Sequence, residues 1–253
     1  MLYADYHTHT KYSAMNHGKG TMEENVISAI EKGLKEIGFC DHGMNHTFYG
    51  VRKKKLESYF LEAAELRLKY PSIRIRTGME TNFISPDGEL DSEEARSRLE
   101  ILTAGYHKLP RPARFGYFFT LMVPNLFKSK SAKRIAKNTD MYLKAIERYP
   151  IDIISHPLRD CTVDLKAVGE LAAEKGTLLE LNGHKTDMSP SDIEMLARLG
   201  CRFILGSDAH TPKRVGDVES ALAIFLASGA KTDIIENWNK LPVFRSEREN
   251  GRQ

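Results

Sequence analysis

Tyr6-His7-Thr8-His9-Thr10, preceded by Leu2 and Tyr3, reads as a short strand that ends in two imidazoles. Residues i and i+2 of a strand point to the same face, so His7 and His9 are placed to hold one ion between them. The spacing alone decides little, because such a pair also arises by chance or as a hydrogen-bonded couple. Its recurrence decides the fold. Outward along the chain, Ile37-Gly38-Phe39-Cys40 leads into Asp41-His42, Ile73 to Met79 into Glu80, and Ile101-Leu102-Thr103-Ala104-Gly105 into Tyr106-His107. Ile151-Asp152-Ile153-Ile154 leads into Ser155-His156-Pro157, Thr177 to Leu181 into Asn182, and Phe203-Ile204-Leu205 into Gly206-Ser207-Asp208-Ala209-His210.

Helical patterns fill the intervals. Thr21 reads as an N-cap with Glu23 and Glu24 in the first turn, opening a helix through Val26, Ile27 and Ile30 that stops at Gly33. Leu56, Phe60, Leu61, Ala64 and Leu68 carry the helical period from about Lys54 to Tyr70, where Pro71 ends it. Further helices are expected from Ser131 to Tyr149, from Leu165 to Lys175, after Ser189-Pro190-Ser191 and from Val215 to Ala227, with one more turn from Asp233 to Trp238. About seven βα units of this kind predict an α/β fold, a parallel sheet with its helices outside. Polar candidates follow six different strands. In a closed barrel those strand ends converge on one mouth; in an open sheet they would spread along an edge. The distribution therefore predicts a barrel, with residues 1–253 as a single domain.

At 253 residues, 41% hydrophobic and 28% charged, the chain has an ordinary globular composition. A net charge of +3 does not by itself imply nucleic acid. Cys40, Cys161 and Cys201 are odd in number and in no CxxC arrangement, which suggests buried thiols in a reducing compartment. No apolar run approaches the ~18 residues of a membrane span, and the first residues lack a signal-peptide pattern, so a cytoplasmic location without membrane partners is expected. Pro110 to Lys130 breaks the rhythm, mixing Arg111, Arg114, Lys128 and Lys130 with Phe115, Tyr117, Phe118, Phe119 and Phe127. It suits a lid, a patch for single-stranded nucleic acid, a dimer contact or a loop packed on the barrel rim. Oligomeric state is left open.

The candidates form one set: His7, His9, His17, His42, Glu80, His107, His156, Asp208 and His210, which takes in seven of the nine histidines. Imidazoles and carboxylates without a thiolate suit zinc, manganese or iron. At three to four protein ligands per ion, the set supplies two or three divalent ions, with Glu80 the natural bridge. Such ions can activate a water and clamp the attacking and leaving oxygens of a phosphoryl group. Singly, each residue has a plainer reading: a structural histidine, a Glu80 paired with an arginine, an Asp208 that caps a turn. Jointly, their placement at strand ends argues against those readings. Arg159 and Arg214 follow His156 and His210 closely, and the guanidinium fork suits phosphate. Lys108 and Arg52 are weaker candidates, Asn182 either meets substrate or caps a turn, and His46 and His184 read as loop residues.

In order along the chain, His7-Thr8-His9-Thr10, Asp41-His42-Gly43, Gly78-Met79-Glu80, His107, Ser155-His156-Pro157 and Ser207-Asp208-Ala209-His210 resemble the polymerase and histidinol phosphatase (PHP) family from residue 5 to about residue 216. Tyr12-Ser13, His17-Gly18-Lys19-Gly20 and the tail Asn237 to Pro242 resemble a stand-alone bacterial branch of it. The resemblance implies a distorted (β/α)7 TIM-like barrel, a trinuclear metal site and phosphoester hydrolysis. It assigns His7, His9, Glu80 and Asp208 to a first ion, Glu80, His107 and His156 to a second, and His17, His42 and His210 to a third. Ala14, Met15 and Asn16 separate His17 from the opening motif. Asp41 is expected to orient an imidazole by accepting its free N–H. The expected activity is a metal-dependent phosphoesterase acting on a small, histidinol-phosphate-like phosphomonoester through a metal-activated hydroxide. Glu80 and Asp208 would organise the ions, and Arg159 and Arg214 would meet the phosphoryl oxygens. Alternatives stay open: a nucleotide or oligonucleotide phosphodiesterase, an amidohydrolase, or a non-catalytic metal-binding regulatory module.

Overall fold

The apolar runs become strands because their side chains are buried on both faces, the pattern of a parallel sheet covered by helices. The computed structural model describes residues 1–126, 130–249 and 251; Phe127 and Lys128 of the irregular segment lie outside the described residues. The strands are β1 (Ala4–Thr8), β2 (Glu36–Phe39), β3 (Arg74–Asn82), β4 (Ile101–Gly105), β5 (Ile153–Ile154), β6 (Leu178–Asn182) and β7 (Phe203–Gly206). They pair in parallel in chain order. The principal helices are α1 (Met22–Glu31), α2 (Leu56–Lys69), α3 (Ala132–Arg148), α4 (Leu165–Lys175), α5 (Pro190–Arg198) and α6 (Glu219–Ala227), followed by the short α7 (Arg245–Glu249).

The sheet nearly closes on itself. At the mouth, His9 N–H donates to the Ala209 carbonyl at 2.8 Å and Ala209 N–H to the His7 carbonyl at 3.1 Å. Along the rest of the seam, side chains replace strand pairing. Buried Asp5 accepts from the backbone N–H of Ser207 at 3.1 Å and of Gly216 at 2.7 Å. Asn237 donates to the carbonyls of Ala4 at 2.8 Å and Leu205 at 2.7 Å and accepts from Leu205 N–H at 3.0 Å. The lower barrel holds Tyr6, Ile101, Ile153, Leu178 and Ile204, stoppered by Phe244 edge-on to Tyr6 at 5.0 Å. Two larger apolar clusters fill the space between sheet and helices.

Some boundaries differ from the sequence expectation. β3 runs on to Asn82, so Glu80 lies inside a strand, where pairing with Thr103 of β4 holds it. β5 keeps only two residues, Ile153 and Ile154. The last long helix starts at Glu219 instead of Val215, because Gly216 takes a left-handed φ of 73° and gives its N–H to Asp5. Asp233 to Trp238 contributes only the short turn Thr232–Ile234. The 110–130 segment is helical from Phe115 to Asn125, burying Leu121 and Met122 in the core while Phe115 and Phe119 face solvent. The three cysteines are free and buried. No helix among the described residues is long and apolar enough to cross a membrane.

Candidate metal centre

The C-terminal strand ends bring the expected ligands together around Glu80, which is fully buried in mid-strand. Its two oxygens divide the cluster. Oε1 lies 2.7 Å from His156 Nε2 and 3.1 Å from His107 Nε2, and it accepts from Ser155 Oγ at 2.8 Å. Oε2 lies 3.1 Å from His42 Nδ1, 3.5 Å from His7 Nε2 and 3.8 Å from His9 Nε2. Asp208 Oδ1 sits 3.1 Å from His9 Nε2 and 3.6 Å from His7 Nε2. Gly105 makes room for this arrangement: a Cβ there would stand 2.3 Å from Ser155 Oγ and 3.2 Å from Glu80 Oε1. His156 and Asp208 adopt positive φ values of 26° and 51°, a backbone conformation costing about 1–3 kcal/mol each and concentrated at functional sites.

Donor atoms within 4.8 Å of one another form four triads: His7–Glu80–His156, His7–His9–Asp208, His42–Glu80–His107 and His9–His42–His210. His42 thus reaches both Glu80 and the His9–His210 pair, where the sequence had placed it only with His17 and His210. His17 stands beside the triads, its Nε2 2.8 Å from His210 Nε2 and its ring stacked on Tyr49 at 3.9 Å. These residues fit metal ions. His7 Nε2, both ring nitrogens of His42, Glu80 Oε2 and His107 Nε2 are sealed from solvent with no hydrogen-bond partner, a costly arrangement unless an ion satisfies them.

Electrostatics sort the cluster. Burial opposes charge on Glu80, but His107, His7 and His156 around it hold its carboxyl well below the usual range. Asp208 is likewise buried and held well below it by His7, His9 and Arg159. Burial, then neighbouring imidazoles, push His9 well below its ordinary value and His17 down to about 3. Burial also takes His42 down to about 4 against the pull of Glu80. His7 and His107 go the other way: against burial, Glu180, Glu80 and Asp208 hold His7 well above its ordinary value and Glu80 raises His107. Neutral imidazoles beside ionised carboxylates are the ligating forms, so an ion bound at His7 or His107 would displace a proton.

Of three supporting residues, Glu180 and Asn82 have no motif of their own, and Asp41 was expected. Glu180, in the middle of β6, accepts from His7 Nδ1 at 2.5 Å and from His156 N–H at 3.0 Å; an acid inside an otherwise apolar run was its only sequence signal. Asn82 Oδ1 accepts from His107 Nδ1 at 2.8 Å. Asp41 acts one residue removed from the expected contact. It accepts from Ser13 Oγ at 2.6 Å and from Thr10 N–H at 2.8 Å, and Ser13 Oγ in turn lies 3.4 Å from His9 Nδ1.

Above the cluster opens a cavity of about 390 Å³, lined also by His46, Phe48, Tyr49, Lys108, Leu109, Arg159, Asp160 and His184. Arg159 donates to Asp208 Oδ2 at 2.6 Å and to the Lys185 carbonyl at 3.2 Å, leaving its buried Nε unpartnered. Arg214 pairs with Asp217 at 3.1 Å and is not among the lining residues. Lys108 faces Asp160 at 3.9 Å, and Arg52 donates to the Phe48 carbonyl at 3.0 Å away from the lining. Asn182 is consumed within the fold: it caps the turn at His184 and Lys185 through Oδ1 and donates to Glu180 and Asp208.

A near-closed barrel of parallel strands, with carboxylates and imidazoles converging at its C-terminal mouth, defines the class as a metal-site barrel protein. The chain belongs to the PHP domain family, whose model matches residues 5–184. A probable phosphatase of Thermoanaerobacter sp. (strain X514) is 28% identical over 251 residues, covering 93% of this chain and 90% of the relative. A probable phosphatase of Shewanella sp. (strain ANA-3) is 26% identical over 259 residues, covering 98% and 92%. The fold is shared with the histidinol phosphate phosphatase of Lactococcus lactis, solved with zinc, L-histidinol and phosphate. That structure superposes with a TM-score of 0.65 at 19% identity, covering 96% of this chain and 97% of the other.

Proposed function

We propose that the protein is a metal-dependent phosphomonoesterase that hydrolyses a small phosphoester at a centre of two or three divalent ions. The observation that carries this is the division of Glu80, one oxygen toward His107 and His156 and the other toward His7, His9 and His42, on the floor of a cavity walled by Arg159. His7, His9, Glu80 and Asp208 would hold one ion, Glu80, His107 and His156 a second, and His42 and His210, with His17 beside them, a third. Zinc, manganese and iron all suit this donor set. Ions of this kind, when bound, lower the pKa of a water toward neutrality and stabilise charge on phosphoryl oxygens.

The chain's own residues supply the rest. Arg159 is anchored through Asp208 and the Lys185 carbonyl, so its guanidinium is already oriented, and the N–H groups of its fork that these two bonds leave free are donors for a phosphoryl oxygen. Its neighbour Asp208 is positioned by Asn182 at 3.3 Å. Arg214, held by Asp217, would act only at the rim. A cavity of about 390 Å³ lies near the small end for ligand sites and favours a compact monoester over an oligonucleotide.

The test is phosphate release from a panel of phosphomonoesters and diesters by protein loaded with manganese or zinc. Histidinol phosphate belongs in the panel because the Lactococcus neighbour binds L-histidinol and phosphate. A His9→Ala, Asp208→Ala variant run in parallel excludes a contaminating phosphatase. Turnover of one phosphomonoester far above the rest, absent from the variant, is expected. Turnover of diesters alone would overturn the proposal.

A further inference from the structure

His46, an imidazole of the cavity wall, is hydrogen-bonded in the opposite sense to three of its neighbours. His7, His107 and His210 each turn Nδ1 toward a group that can only accept: Glu180 Oε1 at 2.5 Å, Asn82 Oδ1 at 2.8 Å and the Asp208 carbonyl at 2.8 Å. The Asn82 amide is itself fixed, since its Nδ2 donates to Asp91 at 2.7 Å. Nδ1 therefore carries a proton in each, which leaves Nε2 as the ring atom available to a metal ion. His46 is reversed. Its Nδ1 lies 3.1 Å from the backbone N–H of Tyr49, a group that can only donate. The ring is thereby neutral and carries its proton on Nε2, where it cannot ligate a metal but can donate a hydrogen bond.

We propose that His46 is a substrate-binding residue, a neutral imidazole that donates its Nε2–H to an oxygen of the phosphoester bound in the cavity. This rests on the phosphoesterase assignment above. His46 lines the same cavity as Glu80, Arg159 and Asp208, yet it belongs to none of the ligand triads. The residue is 5% exposed, and with Nδ1 taken by Tyr49 its Nε2 has no hydrogen-bond partner among the described residues. It stands 5.0 Å from the His42 ring and 5.9 Å from that of His107, at the edge of the metal cluster. The loop around it is braced. Tyr49 stacks on His46 at 4.8 Å and on His17 at 3.9 Å, Thr47 Oγ1 donates to the Leu109 carbonyl at 2.6 Å, and His46 itself bridges to Pro110. A ring held this firmly presents its donor without reorganising.

Two substitutions separate this role from a merely structural one. His46→Asn keeps an acceptor near Nδ1 for the Tyr49 N–H but removes the Nε2 donor; His46→Gln keeps a donor near Nε2. On the metal-loaded protein, kcat/KM for the best phosphomonoester and affinity for inorganic phosphate by calorimetry are measured with metal content. His46→Asn is expected to lose about 10- to 100-fold in both at unchanged metal content, as befits a hydrogen bond to a charged group. His46→Gln is expected to stay within about five-fold of the parent on the same ground. Parent-like values for His46→Asn, or its loss of bound metal, would overturn the proposal. Phosphate binding with this pattern but no ester turnover in the parent would remove the phosphoesterase assignment and leave His46 as a phosphate donor. Ester turnover that is unaffected in His46→Asn would do the reverse, and a metal-loaded parent that neither binds phosphate nor turns over an ester would remove both.

Discussion

Glu180 carries more of the site than its sequence context suggests. It has no ligand spacing and sits between leucines, yet its carboxylate fixes the His7 tautomer and receives the His156 backbone N–H. Metal-ligand candidates were legible because imidazoles and acids recur after apolar runs; their supports were not, because a supporting acid can come from any strand that faces the barrel interior. Removing the charge at Glu180 leaves His7 less basic and less firmly oriented. Glu180→Gln is therefore expected to weaken metal binding by about 10- to 100-fold, as outer-shell partners do. Competition against a chromophoric chelator reads this directly, and parental affinity would contradict it. Arg159 is expected to behave differently. Arg159→Ala should cut kcat/KM by roughly 10- to 100-fold while metal content stays at the parental level, and Arg159→Lys should recover only part, since an ammonium lacks the fork. Both measurements need only steady-state kinetics and metal analysis of the same preparations.

At the level of elements, the long periodic helices were readable: Thr21 and Glu24 form the capping box that opens α1, and Ser131 caps α3. The shorter and irregular pieces were not, because tertiary contacts set them. β5 keeps two residues, and beside it the Asp152 carboxylate accepts from Leu102 N–H at 2.8 Å and from Ser246 N–H at 2.8 Å, tying α7 to the barrel while its backbone still bonds Leu102 and Leu178. Burial pushes the Asp152 carboxyl up to about 6, against the hydrogen bonds that lower it. The folded value lies above the unfolded one, so the native state holds this proton longer. Its contribution to stability is full below about pH 4, the ordinary carboxyl value, and is lost as pH rises through the folded value. Urea unfolding of the metal-free protein should show Asp152→Asn with a shallower fall in stability across that window than the parent. Parallel curves would contradict this. Asp152→Ala, which strands two backbone donors, should cost about 2–4 kcal/mol at neutral pH.

For the whole molecule, the barrel could be inferred because six strands ended in polar candidates that only a closed mouth would gather. What closes it was hidden: Asp5 and Asn237, distant in sequence, stitch β1 to β7 where strand pairing is absent. The mouth gathers buried donors that lack partners, so bound ions should stabilise the fold as a whole. A thousand-fold excess of metal over its dissociation constant is worth about 4 kcal/mol. Thermal unfolding should shift upward on loading with zinc or manganese and return on chelation, and Glu80→Ala should abolish most of the shift. The most direct test of the central claim combines that substitution with turnover. Phosphate release from the preferred phosphomonoester is followed in protein stripped of metal, then reloaded stepwise, for the parent and Glu80→Ala. Activity that is absent without metal, rises with two or three bound ions in the parent and stays absent in Glu80→Ala is predicted. Turnover by the metal-free parent, or parental turnover by Glu80→Ala, would contradict a metal centre organised by Glu80.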